Sequence, residues 1–87
     1  MPYIHPQFRE HLEPYAHSNP INPGELNFVV TKIVATYIGK APTYALINDA
    51  IGVLECAKLE MYRRIVAPYE DKKKEENGEV YGVTVGG

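Results

Sequence analysis

A chain of 87 residues is short enough for one domain, since a single hydrophobic core usually occupies about 100–200 residues. Hydrophobic residues make up 45% and charged residues 23%, a globular composition, and the formal net charge of -2 excludes a global field that would attract DNA or an anionic membrane. One cysteine excludes an intrachain disulfide, and the sequence contains neither a secretory signal pattern nor a membrane span, so we expect a cytoplasmic location.

Residues 1–22 form a proline-rich arm, because five of the 7 prolines lie at or before position 23. Each proline fixes φ and removes a backbone donor, so neither a long helix nor a central strand is expected there. Pro6 can begin a short helix that runs to Glu13, with Phe8 and Leu12 on one face. Residues 15–21 then predict an extended connection, and the arm as a whole is expected to lie on the surface of something larger.

A strong helix signal follows the arm. Asn22 is a good N-cap, Pro23 suits the first helical position and Glu25 completes a capping box. Apolar residues then recur at helical spacing, at Leu26, Val29, Val30, Ile33 and Tyr37. Gly39 suits the C-terminal end, so the sequence predicts a helix over residues 23–38.

A second, longer helix is predicted over residues 43–67, between Pro42 and Pro68. Its first apolar row, interrupted by Lys58, comprises Tyr44, Ile47, Ile51, Leu54, Met61 and Ile65. Its second row comprises Leu46, Ala50, Val53 and Ala57. The short connection at residues 40–43 predicts an antiparallel helical hairpin. Two rows exceed what one partner helix requires, so the spare row is expected to receive the arm or another subunit.

The C-terminal part begins with a mixed-charge run at residues 69–76, which favours one or two solvated helical turns. Asn77 and Gly78 indicate a turn, and residues 79–85 alternate enough to predict a short strand or extended tail. The fold class is therefore mainly α, in a single domain of residues 1–87. It divides into the arm (1–22), the hairpin (23–67), and the charged segment and tail (68–87).

Two positions in the long helix indicate a helix contact. Gly52 costs about 1 kcal/mol relative to alanine in a helix interior, so its presence calls for compensation. Asn48 lies one turn before it. We expect a neighbouring helix to approach Gly52 closely, with Asn48 hydrogen-bonding across the contact.

The end of the long helix carries the densest polar cluster and offers two interpretations. One is a solvated face of ion pairs, since Glu60 precedes Arg63 and Arg64 by three and four residues and Glu55 precedes Lys58 by three. The other is an anionic-ligand site. In that hypothesis Arg63 and Arg64 contact phosphate, Tyr62 stacks on a base, and Tyr69 contributes from the segment beyond Pro68.

No enzyme signature is found, and neither a cofactor nor a metal is expected. A metal-dependent nucleotide hydrolase needs paired carboxylates three or four residues apart, whereas Glu55 and Glu60 are five apart. No Glu-x-x-His motif occurs, and the histidines of the arm, His5, His11 and His17, fit solvated positions. Metal-dependent hydrolysis therefore ranks third among the functional interpretations.

Five segments carry a resemblance to a known family. They are Pro23–Phe28, Ile47–Glu55, Lys58–Arg64, Ala67–Lys72 and Glu76–Tyr81. The string resembles small proteins of unknown function from tailed phages and environmental, including marine, sequence collections. That resemblance implies a phage-type protein in a bacterial cytoplasm. Phage anti-defence sponges are helical oligomers that hold cyclic nucleotides between subunits. This chain resembles them in placing an arginine and a nearby proline at the end of a long helix. Their motifs are not matched residue by residue, so no binding residue is carried over.

The sequence thus favours a homo-oligomeric helical interaction module, because so small a domain gains core by association. The alternative is a protein that binds a nucleotide or another anionic small molecule at a subunit junction.

Overall fold

The computed structural model describes residues 2–82, and the protein there is mainly α-helical. The helices are α1 (Pro6–Ala16), α2 (Pro23–Ile38), α3 (Tyr44–Met61) and α4 (Ala67–Asn77), with a π-helical segment (Tyr62–Val66) between α3 and α4. No strand occurs within that range. Of the predicted strand, residue 79 is irregular and residues 80–82 form a bend, and residues 83–85 lie outside the described part of the chain.

Helix α2 has the bounds that its sequence predicts. The Asn22 side chain accepts a hydrogen bond from the Glu25 amide at 2.9 Å, and the Glu25 carboxylate accepts one from the Ile21 amide at 3.2 Å. At the other end Gly39 adopts φ 76°, and its amide donates to the Ala35 carbonyl at 3.1 Å. Local capping therefore accounts for both ends of this helix.

Helix α1 is longer than the sequence predicts, because it continues through Pro14 to Ala16. The predicted extended connection at residues 15–21 begins only after that. Proline lacks an N–H, but so close to the end of a helix this removes a single hydrogen bond. The helix begins beside His5, whose Nδ1 accepts from the Gln7 amide at 3.3 Å.

The predicted end of the long helix at residue 67 is wrong. Thr43 caps its start by accepting from the Leu46 amide at 3.2 Å, as Pro42 indicates, but the helix does not end before Pro68. Met61, Tyr62, Val66 and Ala67 all have right-handed helical backbone angles. Helix α3, the π segment and α4 therefore form one continuous helix, which ends where Gly78 turns to φ 95°.

The π segment lies directly before Pro68. The amide of Ala67 donates to the Tyr62 carbonyl, five residues back instead of four. A proline in a regular helix would push its ring against the carbonyl four residues earlier, here that of Arg64, and would give it no hydrogen bond. A wider turn relieves that conflict, which is how the helix passes a residue that the sequence interprets as a stop.

Helices α2 and α3 contact each other, and α1 contacts none of the other helices. Among residues 2–82, Ala50 is the only buried one, and Val34, Ile38 and Leu46 are partly buried around it. Leu46 and Ala50 belong to the second row of α3, whereas Val53 of the same row is 61% exposed. The first row is left exposed, from 40% at Ile47 to 84% at Tyr44.

The molecule is extended for its length. Its Cα radius of gyration is 17.7 Å, whereas about 12 Å is expected for a compact domain of this size. Within residues 2–82, none of the helices combines the length and the apolar character needed to cross a bilayer.

Candidate functional site

The predicted ligand residues lie on the continuous helix around the π segment. Tyr62, Arg63 and Arg64 all belong to the π segment, and Tyr69 lies in α4. The structure thus brings three of the four into one widened turn. π-Helical turns are rare and occur often at functional sites, so this placement is a reason to examine the turn closely.

Glu60 is the polar centre of this region. Its Oε1 accepts from Arg63 Nη2 at 3.0 Å, and its Oε2 lies 3.4 Å from the same nitrogen. The hydroxyl of Tyr3, from the arm, donates to the same Oε1. The Glu60 side chain is only 20% exposed, against 67% for Arg63. The predicted Glu60–Arg63 ion pair is confirmed, and so is the Glu55–Lys58 pair at 3.2 Å.

The electrostatics of the three groups are mutually favourable. The Tyr3 hydroxyl and the Arg63 guanidinium both hydrogen-bond the ionised carboxylate and lower the pKa of Glu60 below its ordinary value. The same carboxylate raises the pKa of Arg63. Arg63 is therefore already engaged by an internal anion, so an external phosphate would have to compete with Glu60 for it.

Arg64 is in a different position. It is exposed, and it forms no ion pair with any carboxylate in residues 2–82. Tyr62 beside it is 56% exposed. Of the two arginines that the sequence proposes for phosphate, Arg64 is the one whose charge is not already paired.

Tyr69 lies beyond the π segment, on α4. In a regular helix, residues seven apart lie on nearly the same face, but the wider turn adds one residue and rotates the residues after it by about 100°. The Tyr69 ring lies 5.6 Å from the Lys73 ammonium, a cation–π arrangement within α4. A single-chain site that combines Tyr62 and Tyr69 stays a prediction.

A shallow concavity lies elsewhere, between α4 and the turn after it. It is lined by residues of α4 and the tail, including Glu70, Lys73, Lys74 and Tyr81. Glu79 shapes the turn, since its Oε1 accepts from the amides of Val80 and Tyr81 at 3.0 and 3.1 Å. The Tyr81 and Val80 amides and the charge of Lys74 together lower the pKa of Glu79. The sequence does not predict this concavity, and the only signal for it is the Asn77–Gly78 turn.

The predicted helix contact at Asn48 and Gly52 has no partner within residues 2–82. A Cβ atom built on Gly52 would have open space within 4 Å, and Asn48 is exposed. No helix within residues 2–82 approaches this glycine, so the contact stays a prediction.

Metal-binding side chains are scattered. Within the part of the chain that the structure describes, no group of three or more His, Cys, Asp or Glu residues is placed to hold a metal ion. Cys56 is an exposed free thiol on α3.

Comparison with known proteins gives one result for the chain as a whole. No curated protein and no solved structure matches it significantly. One family model does match, over residues 1–80, and so covers the arm, all four helices and the turn after α4. The chain therefore belongs to the DUF6899 family, a domain of unknown function.

Proposed function

We propose that this protein is a homo-oligomeric helical interaction module, in which a second copy covers the apolar faces that a single chain leaves exposed. The observation that carries the proposal is the exposed first row of α3. The row has six large apolar side chains, interrupted at Lys58, and Tyr44, Ile51, Met61 and Ile65 are each more than half exposed. An exposed apolar patch of this kind marks an interaction site.

The exposed area supports the same proposal. The accessible surface of the chain is 8123 Å², whereas a compact monomer of 9.8 kDa is expected to expose about 5200 Å². The excess is roughly 2900 Å². Obligate subunit interfaces bury about 2000–5000 Å² counted over both partners, so the excess on one chain is enough for such an interface.

The test is the oligomeric state of the full chain in solution. Light scattering at micromolar concentration is expected to give the mass of a dimer or a larger assembly. Ile51→Glu places a charge in the first row and is expected to raise the dissociation constant at least about 100-fold, as loss of a buried apolar anchor does. Thr36→Glu adds the same charge at an exposed position on α2 and is expected to leave the mass unchanged.

A strictly monomeric chain would overturn the proposal. So would an assembly that Ile51→Glu and Thr36→Glu weaken equally, because the first row would then not be the contact.

Arg64 favours a second candidate function, binding of a nucleotide or other anionic small molecule at a subunit junction. Its guanidinium is exposed and unpaired by any described carboxylate, and Tyr62 offers an adjacent aromatic surface. In one chain Tyr69 contacts Lys73, and Arg63 is paired with Glu60. These two side chains enter such a site only if they leave those contacts or if the second subunit supplies them.

Thermal-shift measurements with nucleoside phosphates and cyclic dinucleotides test this candidate. A ligand that raises the melting temperature is expected to lose its effect in Arg64→Ala and to keep most of it in Lys72→Ala, a matched loss of charge on α4. If no compound raises the melting temperature, the candidate is wrong.

The biological setting is part of the proposal. The resemblance of residues 23–81 to small phage proteins supports a phage-type protein that acts in a bacterial cytoplasm, and the near-neutral charge agrees with a protein partner in place of nucleic acid.

A further inference from the structure

Helix α1 is folded but unpartnered. It contacts none of the other helices, and no residue in it is buried. Its apolar side chains nevertheless form one line, the arm stripe, made of Ile4, Phe8, Leu12 and Tyr15 at spacings of four, four and three residues. Each is 40–74% exposed.

A helix of 11 residues has little stability of its own. Isolated helices shorter than about 12–15 residues are marginal in water, and Pro14 removes one of the few hydrogen bonds that α1 could form. The polar contacts of the arm include Tyr3 to Glu60, Arg9 Nε to the Ile4 carbonyl at 2.9 Å, and His17 to Glu13 at 2.6 Å. These contacts are exposed and bury little apolar surface, so α1 requires a packing partner for its stripe.

The rest of residues 2–82 does not provide that partner. The Tyr3 hydrogen bond holds the start of the arm at the C-terminal end of α3, and with the arm held there α1 lies away from the first row of α3. Both surfaces therefore remain open on the same molecule.

The two surfaces match in chemistry, since both are aliphatic and aromatic. At 1.5 Å per residue the helical part of the arm stripe, from Phe8 to Tyr15, spans about 11 Å and the first row, from Tyr44 to Ile65, about 32 Å, so the row is long enough to receive the stripe. Each chain offers one stripe and one row, so exchange of arms about a two-fold axis covers the stripe and part of the row on both chains. The excess of exposed area is large enough to include this contact.

From these observations we propose that the arm is exchanged between subunits, with the arm stripe of one copy packed on the first row of α3 of a second copy. This rests on the proposed homo-oligomer and specifies which surfaces meet in it.

Photo-crosslinking in the full chain tests the exchange. Phe8 is replaced by p-benzoylphenylalanine, which keeps an aromatic ring in the stripe, and the protein is mixed with an equal amount of ¹⁵N-labelled unmodified chain before irradiation. The expected product is a covalent dimer in which residue 8 of the unlabelled chain is joined to residues 44–65 of the labelled one. Glu10 lies on the other face of α1, and the same photo-reactive residue there is expected to give little dimer.

Affinity provides a second measurement. Leu12→Lys is expected to raise the dissociation constant by about tenfold or more, while Glu10→Lys, on the other face of α1, changes it little. Crosslinks confined to the same chain, or to parts of the partner other than residues 44–65, overturn the exchange. A dimer by light scattering that yields no crosslink overturns the exchange and leaves the homo-oligomer standing, whereas a monomer overturns both.

Discussion

The hydroxyl of Tyr3 donates a hydrogen bond to the carboxylate of Glu60, 57 positions further along the chain. This contact joins the proline-rich arm to the last turn of α3, immediately before the π segment. Because Glu60 also accepts from Arg63, one carboxylate links the arm, the α-helix and the widened turn.

The first prediction concerns the acid–base behaviour of Glu60. Its pKa is lowered in the folded chain, so its contribution to stability is present above the unfolded pKa and is lost as the pH falls through the folded pKa. Tyr3→Phe removes the largest of the lowering contacts and is expected to raise the pKa of Glu60 toward its ordinary value. A ¹³C NMR titration of the Glu60 carboxyl measures this.

Tyr15→Phe is the control for that titration, since Tyr15 is in the same arm, is 74% exposed and makes no hydrogen bond to Glu60. If Tyr3→Phe and Tyr15→Phe leave the titration of Glu60 identical, the arm does not reach α3 in solution.

The second prediction concerns Pro68. Pro68→Ala restores a backbone N–H and removes the ring that conflicts with the Arg64 carbonyl, so the π segment is expected to revert to a regular α-helix. The free energy of unfolding is expected to rise, by at most about 3 kcal/mol, because the widened turn already relieves part of the cost of proline. Amide-to-amide NMR contacts around residues 62–67 and thermal unfolding measure the two effects.

Lys72→Ala, in the same helix, is the control and is expected to preserve the π segment. If the turn is unchanged in Pro68→Ala, proline is not the cause of the π segment.

The third prediction concerns Gly52. In the proposed assembly a partner helix approaches this glycine closely, so Gly52→Ala is expected to weaken association even though alanine favours the helix by about 1 kcal/mol. Analytical ultracentrifugation measures the association, and chemical denaturation of the dissociated chain measures the helix effect. A gain in stability with no loss of association would mean that nothing packs against Gly52.

The fourth prediction concerns the connection between α2 and α3. Gly39 has φ 76°, where a Cβ atom costs roughly 1–2 kcal/mol, so Gly39→Ala is expected to lower the free energy of unfolding by that amount. Gly24 has no positive φ, and Gly24→Ala in the first turn of α2 is expected to be neutral or slightly stabilising. Equal effects at the two positions in thermal unfolding would contradict a left-handed requirement at Gly39.

The sequence was sufficient where structure is determined by neighbours in the chain. Asn22 and Gly39 bound α2 because caps act within four residues, and the Glu60–Arg63 and Glu55–Lys58 pairs result from helical spacing alone. The turn at Asn77 and Gly78, which ends α4, is equally local.

The sequence was insufficient where two different structures are compatible with the same residue pattern. Both rows of α3 are apolar, so their residues could not indicate that Ala50 and Leu46 meet α2 while Ile51 stays exposed. Pro68 looks like a helix stop in the sequence. The widened turn that accommodates it has no residue pattern of its own, so the sequence could not indicate that the helix continues. The contact of Tyr3 with Glu60 spans most of the chain, and no periodicity connects two such distant positions.

The widened turn at residues 62–66 has the geometry of a regular helix into which one residue has been inserted. A related chain that is shorter by one residue at this point would therefore have an uninterrupted helix, with everything after it turned by about 100° relative to α3. In an alignment of the family, a one-residue gap here would mark a change in the direction that the charged face of α4 presents to a partner, although the residues of that face would be unaltered.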